Sequence, residues 1–486
     1  MRWEELLPEA VPEGGDGLWV TGVTADSRAV VPGVLFFALE GSRADGHEFI
    51  GEAVAAGAVG EVAEREAAVP PDTCLAVHPG ARRLLGEAAA RLRGHPSRIL
   101  PVVGVTGTNG KTTVAWLIAH LFGDGAVIGT LGWGRPGALE PGDETTPDAV
   151  TLQERLTRLR DSGVTGVALE ASSHALDQER LAGTALTGAV WTNLTPEHLD
   201  YHGDLAAYGA AKARLLTRSE LGFAVINAGD PEVEAFADRV PPEVALWRFG
   251  GERGEVRATA VECRGDGIRL EADTPSGAVA VHSGLSGRVN VANLLAAVAA
   301  GLALGLSPDR IGERLSAARP VSGRMEALGA TRRGARVWVD FAHTEDALER
   351  TLAGTRELVA GDLWCVFGCG GDRDTAKRAP MGEVADRLCD RVVLTSDNPR
   401  GEDPEAIIAA VAAGMHRIEP ERIVDRAAAI GRALEDAGPG DGVVIAGKGH
   451  ESYQEVGGQR LPFSDSAAAG DWLAPAAEAM AHDDPG

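Results

Sequence analysis

Apolar residues in this chain gather in short unbroken runs, separated by glycine-rich turns and by stretches with helical spacing. Early runs are Val34–Leu39, the stretch from Ile99 to Val105, Val164–Leu169, Ala189–Thr192 and Phe223–Ile226. Later ones are Ala335–Val339, Leu363–Phe367, Arg391–Leu394 and Val443–Ala446. Runs of this length without a polar alternate position predict strands buried on both faces. Helical patterns lie between them, for example Thr113–Phe122 and Glu345–Leu358. Strand followed by helix, repeated, predicts an α/β protein with mostly parallel sheets. Three blocks are expected: residues 1–97, residues 98–319 and residues 320–486, the last a Rossmann-type unit. No repeat of short period and no low-complexity linker interrupts them, and residues 481–486 read as a frayed tail.

Composition narrows the class. The 486 residues are 44% hydrophobic and 24% charged, near the soluble globular average. No run of about 18 apolar residues offers a membrane span, and Met1 to Glu5 lacks the basic flank and apolar core of a signal peptide. Five cysteines in so long a chain are no disulfide framework, so a reducing, cytoplasmic setting is expected. Cys365 and Cys369 read as ordinary buried or loop cysteines. Lys plus Arg number 46 against 71 Asp plus Glu, a formal charge of −25. So acidic a surface repels nucleic acid but leaves room for small anions at locally positive sites. Of the 46 cationic residues only four are lysine: Lys111, Lys212, Lys377 and Lys448. Arginine is a permanent cation, whereas a lysine amine can lose its proton. Lysine is therefore expected where that chemistry is needed.

The candidate chemistry sits at the carboxyl ends of the predicted strands, where open α/β sheets bind ligands. After Val105 comes Thr106-Gly107-Thr108-Asn109-Gly110-Lys111-Thr112-Thr113, a shortened phosphate loop. Its glycines let backbone N–H groups turn toward phosphate at a helix N-terminus. Lys111 is expected on the terminal phosphates of the bound group and the Thr112 hydroxyl on Mg²⁺. Glu170, at the end of the next buried strand, suits a second Mg²⁺ contact, since that ion prefers oxygen donors. The segment Asn193 to His202 packs His198, His202, Glu197 and Asp200 into one loop. It carries no HExxH pattern or cysteine partner that would point to zinc.

The ordered set of motifs resembles the Mur ligase family, ATP-dependent enzymes of peptidoglycan assembly. The set runs along nearly the whole chain: DSR, DGHEFI, GTNGKTT, TTP, EASSHAL, TNLTPEHLDYHG, AAK, GRVNVANLLAA, SGRME, VDFAHT, FGCGGDRDTAKR, DNPR and GKGHE. The resemblance implies an N-terminal domain for a UDP-sugar, a central ATPase and a C-terminal domain for an incoming amino acid. It implies that Lys212 is carbamylated and ligates Mg²⁺ with Thr112, Glu170 and His198. It places ATP on Gly107, Thr108, Asn109, Gly110, Lys111, Thr112 and Thr113, with Asn290, Arg324, Asp340 and His343 matching further nucleotide positions. It places the UDP-substrate on Ala25, Ser27, Ser42, Arg43, Ala44, Thr145, Thr146, Ser172, Gln178 and Arg180. The amine falls to Arg373, Asp397, Asn398, Pro399, Arg400, Gly447 and Glu451.

The implied activity joins meso-diaminopimelate to the D-glutamate of UDP-N-acetylmuramoyl-L-alanyl-D-glutamate through an acyl phosphate, in a monomer. No covalent enzyme nucleophile is needed. An arginine fork such as Arg400 reads a carboxylate bidentately, which fits diaminopimelate over lysine. The chain departs from the family pattern at Phe341, Ala171, Glu144 and Glu345, the last standing where proline is usual. The alternatives are a relative that joins another acid and amine, and a nucleotide-binding protein without ligase activity. A folylpolyglutamate-type ligase shares the ATPase logic but not DNPR.

Overall fold

A computed structural model of the protein describes residues 1–41, 44–71, 73–265, 267–372 and 374–475. Ser42, Arg43 and Arg373, expected at binding sites, lie outside the described residues. The chain forms two compact units, residues 1–254 and 255–486.

The first unit holds two sheets. A small parallel sheet runs β1 (Gly22–Thr24), β2 (Val34–Ala38), β3 (Gly60–Ala63) and β4 (Leu75–Val77) in that order. All of β2 and β3 is buried, the condition that a run such as Val34–Ala38 announces. The larger sheet has eight strands. They are β5 (Val102–Thr106), β6 (Gly125–Gly129), β7 (Gly132–Arg135), β8 (Ala138–Glu140), β9 (Gly166–Glu170), β10 (Gly188–Trp191), β11 (Phe223–Asn227) and β12 (Ala245–Phe249). Their order is β12-β11-β10-β5-β9-β6-β7-β8. Pairings are parallel from β12 to β6, and β7 and β8 add an antiparallel edge. β5 lies between β9 and β10, so the loops after these three strands emerge side by side.

The second unit begins with an antiparallel sheet of β13 (Arg257–Arg264), β14 (Gly267–Asp273) and β15 (Val279–Ser283). One face is buried and the other open, as the alternating burial of β14 and β15 records. A six-stranded sheet follows, of β16 (Glu326–Ala330), β17 (Arg336–Asp340), β18 (Leu363–Phe367), β19 (Arg391–Leu394), β20 (Glu421–Arg422) and β21 (Gly442–Ala446). Its order is β16-β17-β21-β18-β19-β20, parallel except at β16. Helices cover both faces, with one core around Leu348, Leu352 and Met381 and the other around Ile430, Ala433 and Leu434. A hairpin of β22 (Tyr453–Val456) and β23 (Gln459–Pro462) leads to the last described helix, Asp465–Gly470. Among the described residues, no helix is long and apolar enough to cross a membrane. Cys365, Cys369 and Cys389 are free and buried in this unit.

Candidate functional site

The phosphate loop joins β5 to the helix Lys111–Leu121, which Gly110 opens from a left-handed backbone at φ +83°. Gly107 stands at φ +144°, and a Cβ there would lie 1.9 Å from the Thr192 hydroxyl, so no other residue fits. The loop after β10 grips this turn. Thr108 N–H donates to the Asn193 carbonyl at 3.0 Å, and Asn109 N–H to Asn193 Oδ1 at 2.8 Å. The Asn193 amide returns a bond to the Asn109 carbonyl at 3.0 Å, and Thr108 Oγ1 donates to the Thr195 carbonyl at 3.0 Å. Lys111 Nζ bonds the carbonyls of Gly107 and Thr108, both at 2.8 Å.

Thr112 and Glu170 meet as hard oxygen donors, Thr112 Oγ1 donating to Glu170 Oε2 at 2.9 Å. The other carboxylate oxygen takes the Thr130 N–H at 2.9 Å, and the Thr130 hydroxyl reaches Oε2 at 3.1 Å. No sequence signal marks Thr130; it matters because β6 and β9 are neighbours. The set Thr145, Thr146, Ser172, Gln178 and Arg180 forms one network around this carboxylate strand. Thr146 Oγ1 donates to the Glu170 carbonyl at 2.7 Å and accepts from Ser172 N–H at 3.0 Å. Arg180 donates to the Thr146 carbonyl at 2.8 Å and to Gln178 Oε1 at 2.9 and 3.1 Å. Glu144 also pairs with Arg180. Ala25, Ser27 and Ala44 border the other sheet: Ala25 directly follows β1, Ser27 opens the short helical turn Ser27–Ala29, and Ala44 is in the loop after β2.

Lys212, on the helix Leu205–Ala213, is 1% exposed. Its Nζ donates to the Gly107 carbonyl at 2.8 Å and lies 4.4 Å from the Tyr208 ring centroid. The amines of Lys111 and Lys212 thus converge on one carbonyl oxygen. Burial, and then the Lys111 charge, push the Lys212 amine well below its ordinary 10.5, toward the neutral form, against Glu197. His198 is at φ +56°, with its ring 4.7 Å from that of His174. Burial drives its pKa well below 6.5, Glu197 opposing, although 46% of the side chain is open to solvent. Among the described residues no cluster of three His, Cys, Asp or Glu side chains is poised for a metal ion. The donors at hand are a hydroxyl and a carboxylate.

In the second unit, Arg324, Asp340 and His343 gather around Phe341. The Arg324 guanidinium lies 4.6 Å from the Phe341 ring and the His343 ring 4.7 Å from it. Asp340, at the end of β17, accepts from Met325 N–H at 2.7 Å and from Ala342 N–H and Thr351 Oγ1 at 3.0 Å each. Burial raises its pKa against the pull of Arg324. Lys377 Nζ donates to the His343 carbonyl at 2.8 Å. The Asn290 amide donates to the Ser286 carbonyl and its side-chain oxygen accepts from Asn293. Glu345 is the first residue of the helix Glu345–Arg356, where an acid suits the helix dipole as proline suits the backbone.

The loops after β19 and β21 interlock. Lys448, 1% exposed, donates to Asn398 Oδ1 at 3.1 Å and to Glu451 Oε2 at 2.7 Å. Asn398 Nδ2 donates to the same Glu451 oxygen at 2.9 Å. Gly447, at φ +112°, leaves room for Asp397, whose Oδ2 would be 2.7 Å from a Cβ. Arg400, after Pro399, sits at φ +51°, with its guanidinium 3.3 Å from Glu455 and bonded to the Gly371 carbonyl at 2.6 Å.

Three family models match this chain: "Mur ligase family, catalytic domain" over residues 20–93, "Mur ligase middle domain" over residues 105–301, and "Mur ligase, glutamate ligase domain" over residues 323–449. A UDP-N-acetylmuramoyl-L-alanyl-D-glutamate–2,6-diaminopimelate ligase from Alkalilimnicola ehrlichii is 46% identical over 471 residues, covering 92% of this chain and 94% of the relative. A solved structure of a ligase of the same name matches with TM-score 0.72 and 35% identity, covering 99% of both chains. A folylpolyglutamate synthase from Mycobacterium tuberculosis, solved with ADP, is 20% identical with TM-score 0.64, covering 84% of this chain and 96% of its own. The last likeness is one of fold.

Proposed function

The chain belongs to the Mur ligase family, and on that premise we propose that it adds meso-diaminopimelate to the D-glutamate carboxylate of UDP-N-acetylmuramoyl-L-alanyl-D-glutamate with ATP. The observation that carries the reading is the convergence of Lys111 and Lys212 on the Gly107 carbonyl, beside the Thr112–Glu170 pair. A phosphate loop alone needs one lysine. A second, buried and driven toward neutrality, has the form that takes up CO₂. Carbamylation turns an amine that opposes Lys111 into a carboxylate that attracts it.

Thr112, Glu170, the Lys212 carbamate and His198 would then hold Mg²⁺, a donor set rich in the oxygen that this ion prefers. When bound, Mg²⁺ supplies charge neutralisation between phosphate and attacking carboxylate. Lys111 draws charge from the terminal phosphate as the glutamate oxygen attacks. The bond from that phosphorus to the bridging oxygen breaks, ADP leaves, and an acyl phosphate remains. The amine then adds to the acyl carbon and phosphate departs. The protein's part is positioning and charge stabilisation. Thr145, Thr146, Ser172, Gln178 and Arg180 hold the UDP-substrate, together with Ala25, Ser27 and Ala44. Asn398, Glu451, Gly447, Asp397 and Arg400 take the amine. Arg324, Asp340 and His343 are nucleotide-binding positions of the second unit. The setting is the cytoplasm, where ATP and UDP-linked precursors are found, and the chain works as a monomer on small molecules.

The test is phosphate release with ATP, Mg²⁺ and the UDP-dipeptide, with meso-diaminopimelate and L-lysine offered in parallel and product mass checked. Turnover with diaminopimelate alone is expected. Turnover with neither, from folded protein that binds ATP, overturns the assignment.

A further inference from the structure

The second unit contains a charged pair for which the ligase reading has no use. Arg426 begins the helix Arg426–Asp436, and Asp465 begins the helix Asp465–Gly470. Both side chains are 0% exposed. They meet as a bidentate pair, Nε to Oδ1 at 2.7 Å and Nη2 to Oδ2 at 2.8 Å. Desolvating two charges offsets most of their attraction, so an apolar pair would hold the helices equally well. An apolar pair could not donate hydrogen bonds. The guanidinium does: Nη2 to the Ala446 carbonyl at 2.9 Å, and Nη1 to the Ser396 carbonyl at 3.4 Å.

These two carbonyls have a particular place. Ala446 ends β21 and directly precedes Gly447; Ser396 follows β19 and directly precedes Asp397. β18 runs between β21 and β19, so no ladder bond ties their ends. One guanidinium spans that gap and sets the spacing of the two loops. The Asp465 carboxylate fixes the guanidinium and anchors the return of the β22–β23 hairpin. That hairpin also bonds the loop after β19. Gln454 Nε2 donates to the Asp397 carbonyl at 2.6 Å, Arg400 N–H to the Glu455 carbonyl at 3.0 Å, and Gly457 N–H to the Arg400 carbonyl at 2.7 Å. Arg400 keeps its left-handed backbone because these bonds over-determine it.

We propose that Arg426 and Asp465 are positioning residues for the amine-binding site, fixing the separation of Asp397–Arg400 from Gly447–Glu451 and so the enzyme's choice of incoming amino acid. This rests on the ligase reading. Arg426→Lys keeps the buried charge but cannot reach both carbonyls. In that variant, KM for meso-diaminopimelate should rise by at least about tenfold and preference over L-lysine should fall, while KM for ATP and for the UDP-dipeptide stays within about twofold. Amide hydrogen exchange at Arg400 and Gly457 should quicken while the melting temperature holds. Should Arg426→Lys fail to fold, the charge-balanced double variant Arg426→Met, Asp465→Leu undergoes the same measurements. A common rise in all three KM values, or a lower melting temperature with KM for diaminopimelate unchanged, overturns the proposal. If the wild-type protein turns over no diaminopimelate, the ligase reading fails on its own; exchange at Arg400 and Gly457 then decides the positioning role, and unchanged rates refute it.

Discussion

Glu61 lies in the middle of the small N-terminal sheet, 1% exposed, and among the described residues neither carboxylate oxygen has a hydrogen-bond partner. Phe36 and Leu75 flank it in register on β2 and β4. Burial alone lifts its pKa from 4.5 to about 7. The folded protein therefore binds the proton more tightly than the unfolded chain. The contribution of Glu61 to stability is full below pH 4.5, declines as pH rises, and carries the whole penalty above about pH 7. At about 1.4 kcal/mol for each pH unit, the rise is worth about 3 kcal/mol. Glu61→Gln keeps the shape and removes the titration. The amide is also left unpaired, so the pH dependence, rather than the absolute stability, carries the comparison. Melting curves of both proteins from pH 5 to 8 should diverge as pH rises, the variant gaining on the wild type. For a unit of this size, at about 2–4 °C per kcal/mol, the relative shift approaches roughly 6–12 °C. Two parallel lines across that range would refute the reasoning.

Lys212→Arg should lower ligation by at least about 100-fold while the melting temperature holds, because a guanidinium cannot take up CO₂. A carbamate carbonyl signal from ¹³C-labelled bicarbonate should be present in the wild type and absent in the variant. Arg400→Ala should raise KM for diaminopimelate by about tenfold or more and leave KM for ATP nearly unchanged; equal effects on both would remove its role with the amine. Gly107→Ala sets a methyl against the Thr192 hydroxyl, so ATP binding measured by calorimetry should be lost without global unfolding. Normal affinity would show that the loop gives way.

What could be read from the chain follows a physical division. Leu363–Phe367 and Arg391–Leu394 form strands with the bounds the apolar runs predict, since strands buried on both faces leave an unbroken signature. β13 offers no such run, because most of its side chains face solvent. Strand–helix alternation resumes near residue 320, whereas the second compact unit begins at Glu255; the helix Val289–Ala303 packs on the helix Glu345–Arg356 and ties this stretch to the unit. Residues inside dense motifs, such as Thr146, Ser172 and Lys212, were legible as candidates. Thr130 and Arg426 were not. Their partners Glu170 and Asp465 are 40 and 39 positions away; the pairing of β6 with β9 brings the first pair together, and the packing of the helices Arg426–Asp436 and Asp465–Gly470 the second.

The scarcity of lysine has a practical side. None of the four is fully exposed; Lys212 and Lys448 are sealed in, and Lys111 and Lys377 are half-buried. Arginine, which amine-directed acylating reagents leave untouched, makes up the remaining cations. For most proteins such reagents report on a crowd of surface sites. Here the most reachable lysines are Lys111 in the phosphate loop and Lys377 beside His343. Covalent amine labelling, followed by peptide mass, thus becomes a direct footprint of these two positions, and a bound nucleotide should appear as protection of Lys111.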